Sequence, residues 1–164
     1  MTYALEEEYV TGLDFDYRLL YKKAVDAVLD HLQCPYEACV NLLLTDNDEI
    51  RKINKSTRDL DVSTDVLSFP MNEFDRPGVF DQTSEDAFAF DPDSGEFLLG
   101  DIVLSTEFVL SNAEAFGHSV EREYAFLIVH SMLHLTGFDH IEESDRIRME
   151  DEQDKIMQIL NISR

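Results

Sequence analysis

From His130 to His140 the chain reads HSMLHLTGFDH. His130 and His134 are four positions apart, so on a helix their rings project from one face about one turn apart. Gly137 favours a helix end and a chain reversal, because glycine adopts left-handed backbone conformations without steric cost. The reversal brings His140 back towards the first two rings. The segment therefore predicts a helix that ends in a cluster of three histidines.

This cluster has the donor set of a zinc site. A single buried histidine is usually a core residue with a hydrogen-bond partner, but two in an apolar helix and a third after a glycine favour the metal interpretation. Three nitrogens leave the fourth tetrahedral position to water, as in catalytic zinc sites. The spacing is similar to that of the metzincin zinc helix. We predict one Zn²⁺ ion bound by His130, His134 and His140 on a zincin-like helix.

The residue after the first histidine limits the chemistry of this site. Zinc proteases have a glutamate there as general base, whereas this chain has Ser131. A serine hydroxyl is a poor proton acceptor near neutral pH, so the usual route of peptide hydrolysis is disfavoured. A metal ion still supplies a Lewis acid, which indicates a hydrolase whose substrate is not obviously a peptide. Asp139 either hydrogen-bonds a ligand imidazole or shapes the turn.

Hydrophobic periodicity predicts the elements around this segment. The helix of the first two histidines should begin after Ser119 and be central, because it is apolar on nearly every side from Tyr124 to Leu135. The other predictions are a strand within 1–10, a helix from Asp14 or Asp16 to 32, a strand at 38–44, a helix from Thr45 or Asp46 to about 56, strands at 66–69 and 98–104, and helices at about 106–116 and 142–160. Few strands among many helices predict an α+β fold.

Length and composition favour a single domain over residues 1–164, since 44% of the 164 residues are hydrophobic. Thirteen basic residues face 35 acidic ones, and the net charge of −22 argues against a general nucleic-acid coat or a binder of anionic membranes. No secretory signal is visible, and the longest apolar run is far too short to span a membrane. Cys34 and Cys39 are expected to be reduced thiols. We expect a cytoplasmic protein.

Two segments have unusual charge. Residues 71–97 are acidic and contain prolines and glycines, which predicts a long loop, an acidic insertion exposed to solvent. The opposite applies to 51–58, where four of the thirteen basic residues lie within eight positions: Arg51, Lys52, Lys55 and Arg58. They form either a solvated helix face or a phosphate contact, since the arginine guanidinium offers a planar fork of donors to anionic oxygens.

The sequence resembles the YbeY family of bacterial endoribonucleases that mature ribosomal RNA. The family's zinc motif is close to H-G-x-L-H-L-x-G-Y-D-H, which residues 130–140 follow with Ser131 for glycine and Phe138 for tyrosine. The family pattern N-x-x-x-R followed by T-D-V-L-S-F-P matches residues 54–58 and 64–70, and LGDI matches at 99–102. The three blocks follow the family's order and span about the last two-thirds of the chain.

This resemblance implies a small mixed β-sheet, mostly parallel with one antiparallel strand, flanked by helices. It implies a zinc-dependent endoribonuclease, specific for single strands, in 3′-end maturation of small-subunit ribosomal RNA and in ribosome quality control. The three histidines would bind zinc, and Arg58 would be the catalytic arginine of the cleft. Implied partners are single-stranded regions of ribosomal RNA and the small ribosomal subunit with its basic proteins. No membrane is involved.

Two alternatives stay open from the residues. One is a zinc hydrolase of a different substrate class, although the missing glutamate after His130 counts against a peptidase. The other is a non-catalytic ribosome assembly factor with bound zinc, although three protein ligands are fewer than a closed structural site uses. The general base is also undecided between Asp65, Asp139 and hydroxide on the metal.

Overall fold

A computed structural model of the chain describes residues 1–80 and 89–164. Its described part contains four strands and five helices. In chain order they are β1 (Thr2–Glu7), α1 (Tyr17–His31), β2 (Ala38–Thr45), α2 (Asn47–Arg58), β3 (Val66–Pro70), β4 (Phe97–Ser105), α3 (Thr106–Phe116), α4 (Val120–Leu135) and α5 (Glu143–Leu160). The elements predicted from periodicity are confirmed, with boundaries shifted by a few residues.

Side-chain caps fix where the helices begin. Of the alternatives in the sequence, Asp16 caps α1 and Asp46 caps α2, each accepting a hydrogen bond from a backbone N–H three residues later. Ser105 and Ser119 cap α3 and α4 in the same way.

The four strands form one sheet in the order β1-β2-β4-β3. β1 and β2 are parallel, as are β2 and β4, whereas β3 runs antiparallel to β4 at the edge. This confirms the α+β class and the mixed sheet with one antiparallel strand. Gly100, the glycine of LGDI, lies within β4 opposite Pro70 and has a φ of +139°. A Cβ there would lie 2.2 Å from the carbonyl oxygen of Phe69, so glycine lets the edge strand approach.

Helices cover both faces of the sheet. Alternate residues of β2 and β4 face the main core with α1 and α4, among them Leu42, Leu44 and Ile102. Residues in between, such as Val103, pack with Ile50 of α2 on the other face. α4 contacts α1, α3 and α5 as well as β3 and β4, which confirms the prediction of a central helix. No helix in the described ranges has the length and apolar character needed to cross a bilayer.

The acidic segment 71–97 is only partly described, because residues 81–88 lie outside the described ranges. In the described part, Phe80 is 5% exposed and packs edge-on against Phe74 and Phe97, with centroid distances of 5.3 and 5.9 Å. Phe90 contacts Phe97 as well, at 5.6 Å. These aromatic rings belong to the core, which the acidic composition of the segment did not indicate. The insertion as a whole stays a prediction.

Candidate metal centre

The last turns of α4 and the segment after it bring the three predicted histidines together. The Nε2 atoms of His130 and His134 are 3.2 Å apart. The His140 ring returns to within 5.0 Å of the His134 ring and 5.8 Å of the His130 ring, measured between centroids. One ring nitrogen from each histidine lies within 4.8 Å of the others. The three side chains can therefore reach one ion.

The chain reversal depends on Gly137. Its φ of +97° lies in the left-handed region, and a Cβ at this position would lie 2.6 Å from Cβ of Phe74. The N–H of Phe138 bonds the carbonyl of Leu133 at 3.0 Å and so closes the helix end. Backbone conformation and crowding together require glycine at position 137. The turn that this glycine permits places His140 next to the other two histidines.

Backbone and side-chain acceptors hold the outer nitrogens of the first two rings. Nδ1 of His134 donates to the carbonyl of Phe138 at 3.0 Å, which leaves its Nε2 as a lone-pair donor. Nδ1 of His130 lies 3.3 Å from Oε1 of Gln153 on α5. The family tyrosine hydroxyl missing at Phe138 is not needed for this contact, since the backbone carbonyl supplies the acceptor.

Burial keeps these imidazoles neutral. It lowers the pKa of His130, and it lowers the pKa of His134 to about 4 with a further contribution from the neighbouring imidazoles. Neutral rings offer lone pairs near neutral pH, as metal binding requires. Three converging imidazole nitrogens match the donor set of a zinc-type ion with one coordination position left over. The residues present therefore fit a divalent metal ion.

The histidines line one wall of a cleft of about 740 Å³. Strand β3 forms the opposite wall, with the alternate residues Val66, Ser68 and Pro70 facing the cleft. Asp65 and Asp139 line it as well. The cleft is therefore a polar groove between the edge strand and the last turns of α4.

Arg58 reaches this cleft from α2, where it is the last residue. Its Nη2 donates to the carbonyl of Ser68 at 2.9 Å, and its guanidinium lies 5.5 Å from the ring centroid of Phe69. Within 1–80 and 89–164, no carboxylate forms an ion pair with Arg58. The side chain is exposed and retains donors for an anionic ligand.

The other three basic residues of 51–58 behave differently. They pair with carboxylates outside the cleft: Arg51 with Asp61 at 2.8 Å, Lys52 with Glu49 at 3.6 Å and Lys55 with Asp59 at 3.1 Å. The solvated-face interpretation fits these three side chains. Of the four basic residues in 51–58, only Arg58 lines the cleft.

Ser131 does not face the cleft, because its side chain is fully buried. Its hydroxyl is 2.5 Å from that of Ser68, so it links α4 to β3. Asp139 accepts a hydrogen bond from the backbone N–H of Ile141 at 3.2 Å, which favours the turn-shaping alternative. Asp65 accepts from the N–H of Val66 at 2.7 Å.

The remaining two histidines lie outside the cluster. His31 ends α1 and lies 2.5 Å from Glu152, and His118 follows α3 and lies 2.9 Å from Glu123. Burial raises the pKa of Glu123, while His118 opposes that shift. The position of Gln153 beside His130 was not predicted from the sequence. A polar residue in the apolar stripe of α5 was the available sign, because Met149 and Ile156 flank it on the same buried face.

Comparisons with known proteins show which family the chain resembles. The family model for endoribonuclease YbeY matches residues 4–161. Proteins named endoribonuclease YbeY from Lachnoclostridium phytofermentans and Agathobacter rectalis are each 48% identical over 165 residues, covering all of both chains. The solution structure of TM1509 from Thermotoga maritima superposes with a TM-score of 0.61 at 25% identity, over 96% of this chain and 87% of that one. The chain belongs to the endoribonuclease YbeY family.

Proposed function

We propose that this chain is a zinc-dependent endoribonuclease that cuts single-stranded RNA in the cleft between α4 and β3. Its substrate would be ribosomal RNA, at the 3′ end of the small-subunit species, with a further part in ribosome quality control. The observation that carries this proposal is the convergence of three imidazole nitrogens within 4.8 Å on the wall of a cleft that Arg58 also lines. Work on ribosomal RNA implies a cytoplasmic location and contact with the small ribosomal subunit.

His130, His134 and His140 would hold the ion. When bound, zinc supplies a Lewis acid next to the scissile phosphodiester and acidifies water. Burial of the first two imidazoles keeps them unprotonated for this task. The hydrogen bond from His134 to Phe138 fixes which nitrogen faces the cleft.

Arg58 would neutralise negative charge on the phosphoryl oxygens as it develops in the transition state. Its contacts with the carbonyl of Ser68 and the ring of Phe69 orient the guanidinium before substrate binds. Pre-oriented donors of this kind contribute about 2.7–4 kcal/mol each in comparable oxyanion sites. Asp65 and Asp139 line the same cleft and are the candidate carboxylates to accept a proton.

The geometry favours single strands for a simple reason. The metal ligands and the arginine line the cleft, so a substrate must bring its phosphodiester into the cleft with bases free to move aside. Unpaired RNA does so, whereas an A-form duplex holds its phosphates on a rigid cylinder. Duplex RNA of the same sequence should therefore be cut much more slowly.

The test separates binding of the metal from catalysis. We expect His134→Ala to lose both zinc and cleavage of a single-stranded oligoribonucleotide. Arg58→Ala should keep its zinc but cleave about 100–1000-fold more slowly, the effect of removing one such donor. Lys55→Ala is the matched control, because Lys55 lies on the same helix in an exposed ion pair with Asp59.

Cleavage by both site variants at the wild-type rate, after rigorous purification, would exclude this active site. Ribosome association that persists in those variants would then favour the non-catalytic assembly factor. Hydrolysis of a different substrate that needs the same histidines would favour the other zinc hydrolase.

A further inference from the structure

One buried polar side chain near the metal centre has no role in the function proposed above. Gln153 of α5 is only 4% exposed. It lies beside His130, although 23 positions separate the two residues in the chain. A buried amide without partners is costly, so its contacts at both ends define what it does.

The first contact fixes the direction of the amide. Nε2 of Gln153 donates to the backbone carbonyl of Phe126 at 3.1 Å. A carbonyl only accepts hydrogen bonds, so the nitrogen end must point towards Phe126. The opposite end of the amide, which faces His130, is therefore the oxygen.

The second contact fixes the proton on the ring. Oε1 of Gln153 accepts only and lies 3.3 Å from Nδ1 of His130, so Nδ1 carries the hydrogen. Nε2 of His130 then carries a lone pair. It faces Nε2 of His134, 3.2 Å away, whose own Nδ1 proton goes to Phe138. Two lone pairs at this distance cannot hydrogen-bond each other and call for a cation between them.

Open space borders one side of the His130 ring. A cavity of about 210 Å³ lies between α4 and α5 and is lined by His130, His140 and Gln153 among others. Space next to a ring permits the ring to rotate. The hydrogen bond from Nδ1 to Gln153 restricts this rotation. The protein partner of a metal-bound imidazole has this task in many metal sites.

We propose that Gln153 is a positioning residue of the metal centre, which holds His130 in the tautomer and orientation that present Nε2 to the ion. The inference rests on the metal site of the proposed function. It makes α5 a structural part of that site, although this helix supplies none of the three histidines.

Two measurements on the full chain test this role. The first is the tautomer of His130 in the metal-free protein, read from imidazole nitrogen chemical shifts. The second is Zn²⁺ affinity, measured by competition with a chelator. The variants are Gln153→Met, which keeps the length but removes the acceptor, and Gln153→Glu, which restores an acceptor. Gln158→Met is the matched control, since Gln158 lies on the same helix and is exposed.

We expect the wild type to carry its proton on Nδ1 of His130. In Gln153→Met the Nε2–H tautomer should appear and zinc affinity should fall by about 10–100-fold, the usual effect of losing such a partner. Gln153→Glu should recover part of that affinity, because its carboxylate accepts from Nδ1 of His130 but cannot donate to the carbonyl of Phe126. Gln158→Met should match the wild type. A merely structural role for Gln153 would lower thermal stability without changing the tautomer.

The inference is wrong if wild-type His130 carries its proton on Nε2, a result that requires no variant to fold. It is also wrong if Gln153→Met leaves both tautomer and affinity unchanged. A failure of the proposed function gives a different result. His134→Ala would then bind zinc as tightly as the wild type, whereas the tautomer of His130 would still differ between the wild type and Gln153→Met.

Discussion

The hydroxyl of Ser131 occupies the position where zinc proteases have their general base, but it is buried against Ser68 at 2.5 Å. Removing one partner leaves the other hydroxyl without its hydrogen bond, at a cost of about 1–3 kcal/mol. We therefore expect Ser131→Ala to lower the free energy of unfolding by that amount. Because the two residues share one bond, Ser68→Ala combined with Ser131→Ala should cost less than the sum of both.

Urea unfolding of the single and double variants measures this coupling. Ser56→Ala is a suitable control, since Ser56 is an exposed serine in α2. Strictly additive losses would show that the two hydroxyls do not depend on each other and that α4 and β3 are held together by other contacts.

The buried histidines make a second prediction at this scale. The ordinary pKa of histidine is 6.5, and burial lowers that of His134 to about 4 in the folded state. The unfolded chain therefore binds more protons between these values, so the folded state loses stability as the pH falls from about 6.5 to about 4. We compare metal-free wild type with metal-free His134→Gln. The free energy of unfolding of the wild type minus that of the variant should decrease as the pH falls from about 6.5 to about 4.

Subtracting the variant removes the titration of the many carboxylates, which both proteins share. Denaturant unfolding in the presence of a chelator, at several pH values, gives the two curves. Parallel curves across this range would mean that the His134 ring titrates alike in the folded and unfolded chains.

At the scale of elements, patterns within one segment were predictable, and contacts between segments were not. The apolar α4 and its histidine spacing follow from local sequence, as does its capping residue Ser119. The choice of Asp16 over Asp14, the core position of Phe80 and the contact of Gln153 with His130 depend on tertiary packing. The role of Arg58 came from family resemblance, and the pairing of its basic neighbours with carboxylates became visible only in the structure.

The turn after α4 is an element whose geometry can be tested. Gly137→Ala combines a φ of +97° with a contact of 2.6 Å to Cβ of Phe74. We expect it to destabilise the protein by about 1–3 kcal/mol and to weaken Zn²⁺ binding, because the turn positions His140. Gly95→Ala is the control: Gly95 also has a positive φ, +74°, but a Cβ there would meet no atom of the described residues within 4 Å.

Thermal unfolding and chelator competition together distinguish the two effects. Gly95→Ala should lose some stability from its backbone conformation and keep the affinity for zinc. Equal zinc affinities in Gly137→Ala and wild type would contradict the dependence of His140 on this turn.

At the scale of the whole molecule, a net charge of −22 opposes RNA binding. Repulsion is screened over about 8 Å at physiological salt, so local contacts decide affinity. Arg58 is the one member of the 51–58 cluster that lines the cleft. One phosphate contact on a single strand gives a slope of about −0.7 in a plot of log K against log salt concentration. Salt also screens the repulsion between the acidic chain and RNA, which favours binding and makes the slope smaller still. We expect a shallow salt dependence.

Fluorescence anisotropy of a labelled single-stranded RNA measures this slope, with metal-free protein in the presence of a chelator and about 50 to 200 mM salt. Basic nucleic-acid binders lose affinity by orders of magnitude over this range. A slope typical of six or more phosphate contacts would reveal a basic surface much larger than the cleft provides.

We expect three imidazoles of this chain to bind one ion and leave a coordination position free. X-ray absorption at the zinc edge, on chain loaded with one equivalent of Zn²⁺, tests it directly. We predict three imidazole nitrogens at about 2.0–2.1 Å with one light oxygen ligand, and one imidazole fewer in His140→Ala. A zinc shell with fewer than three imidazoles in the wild type, or one that His140→Ala leaves unchanged, would contradict the claim.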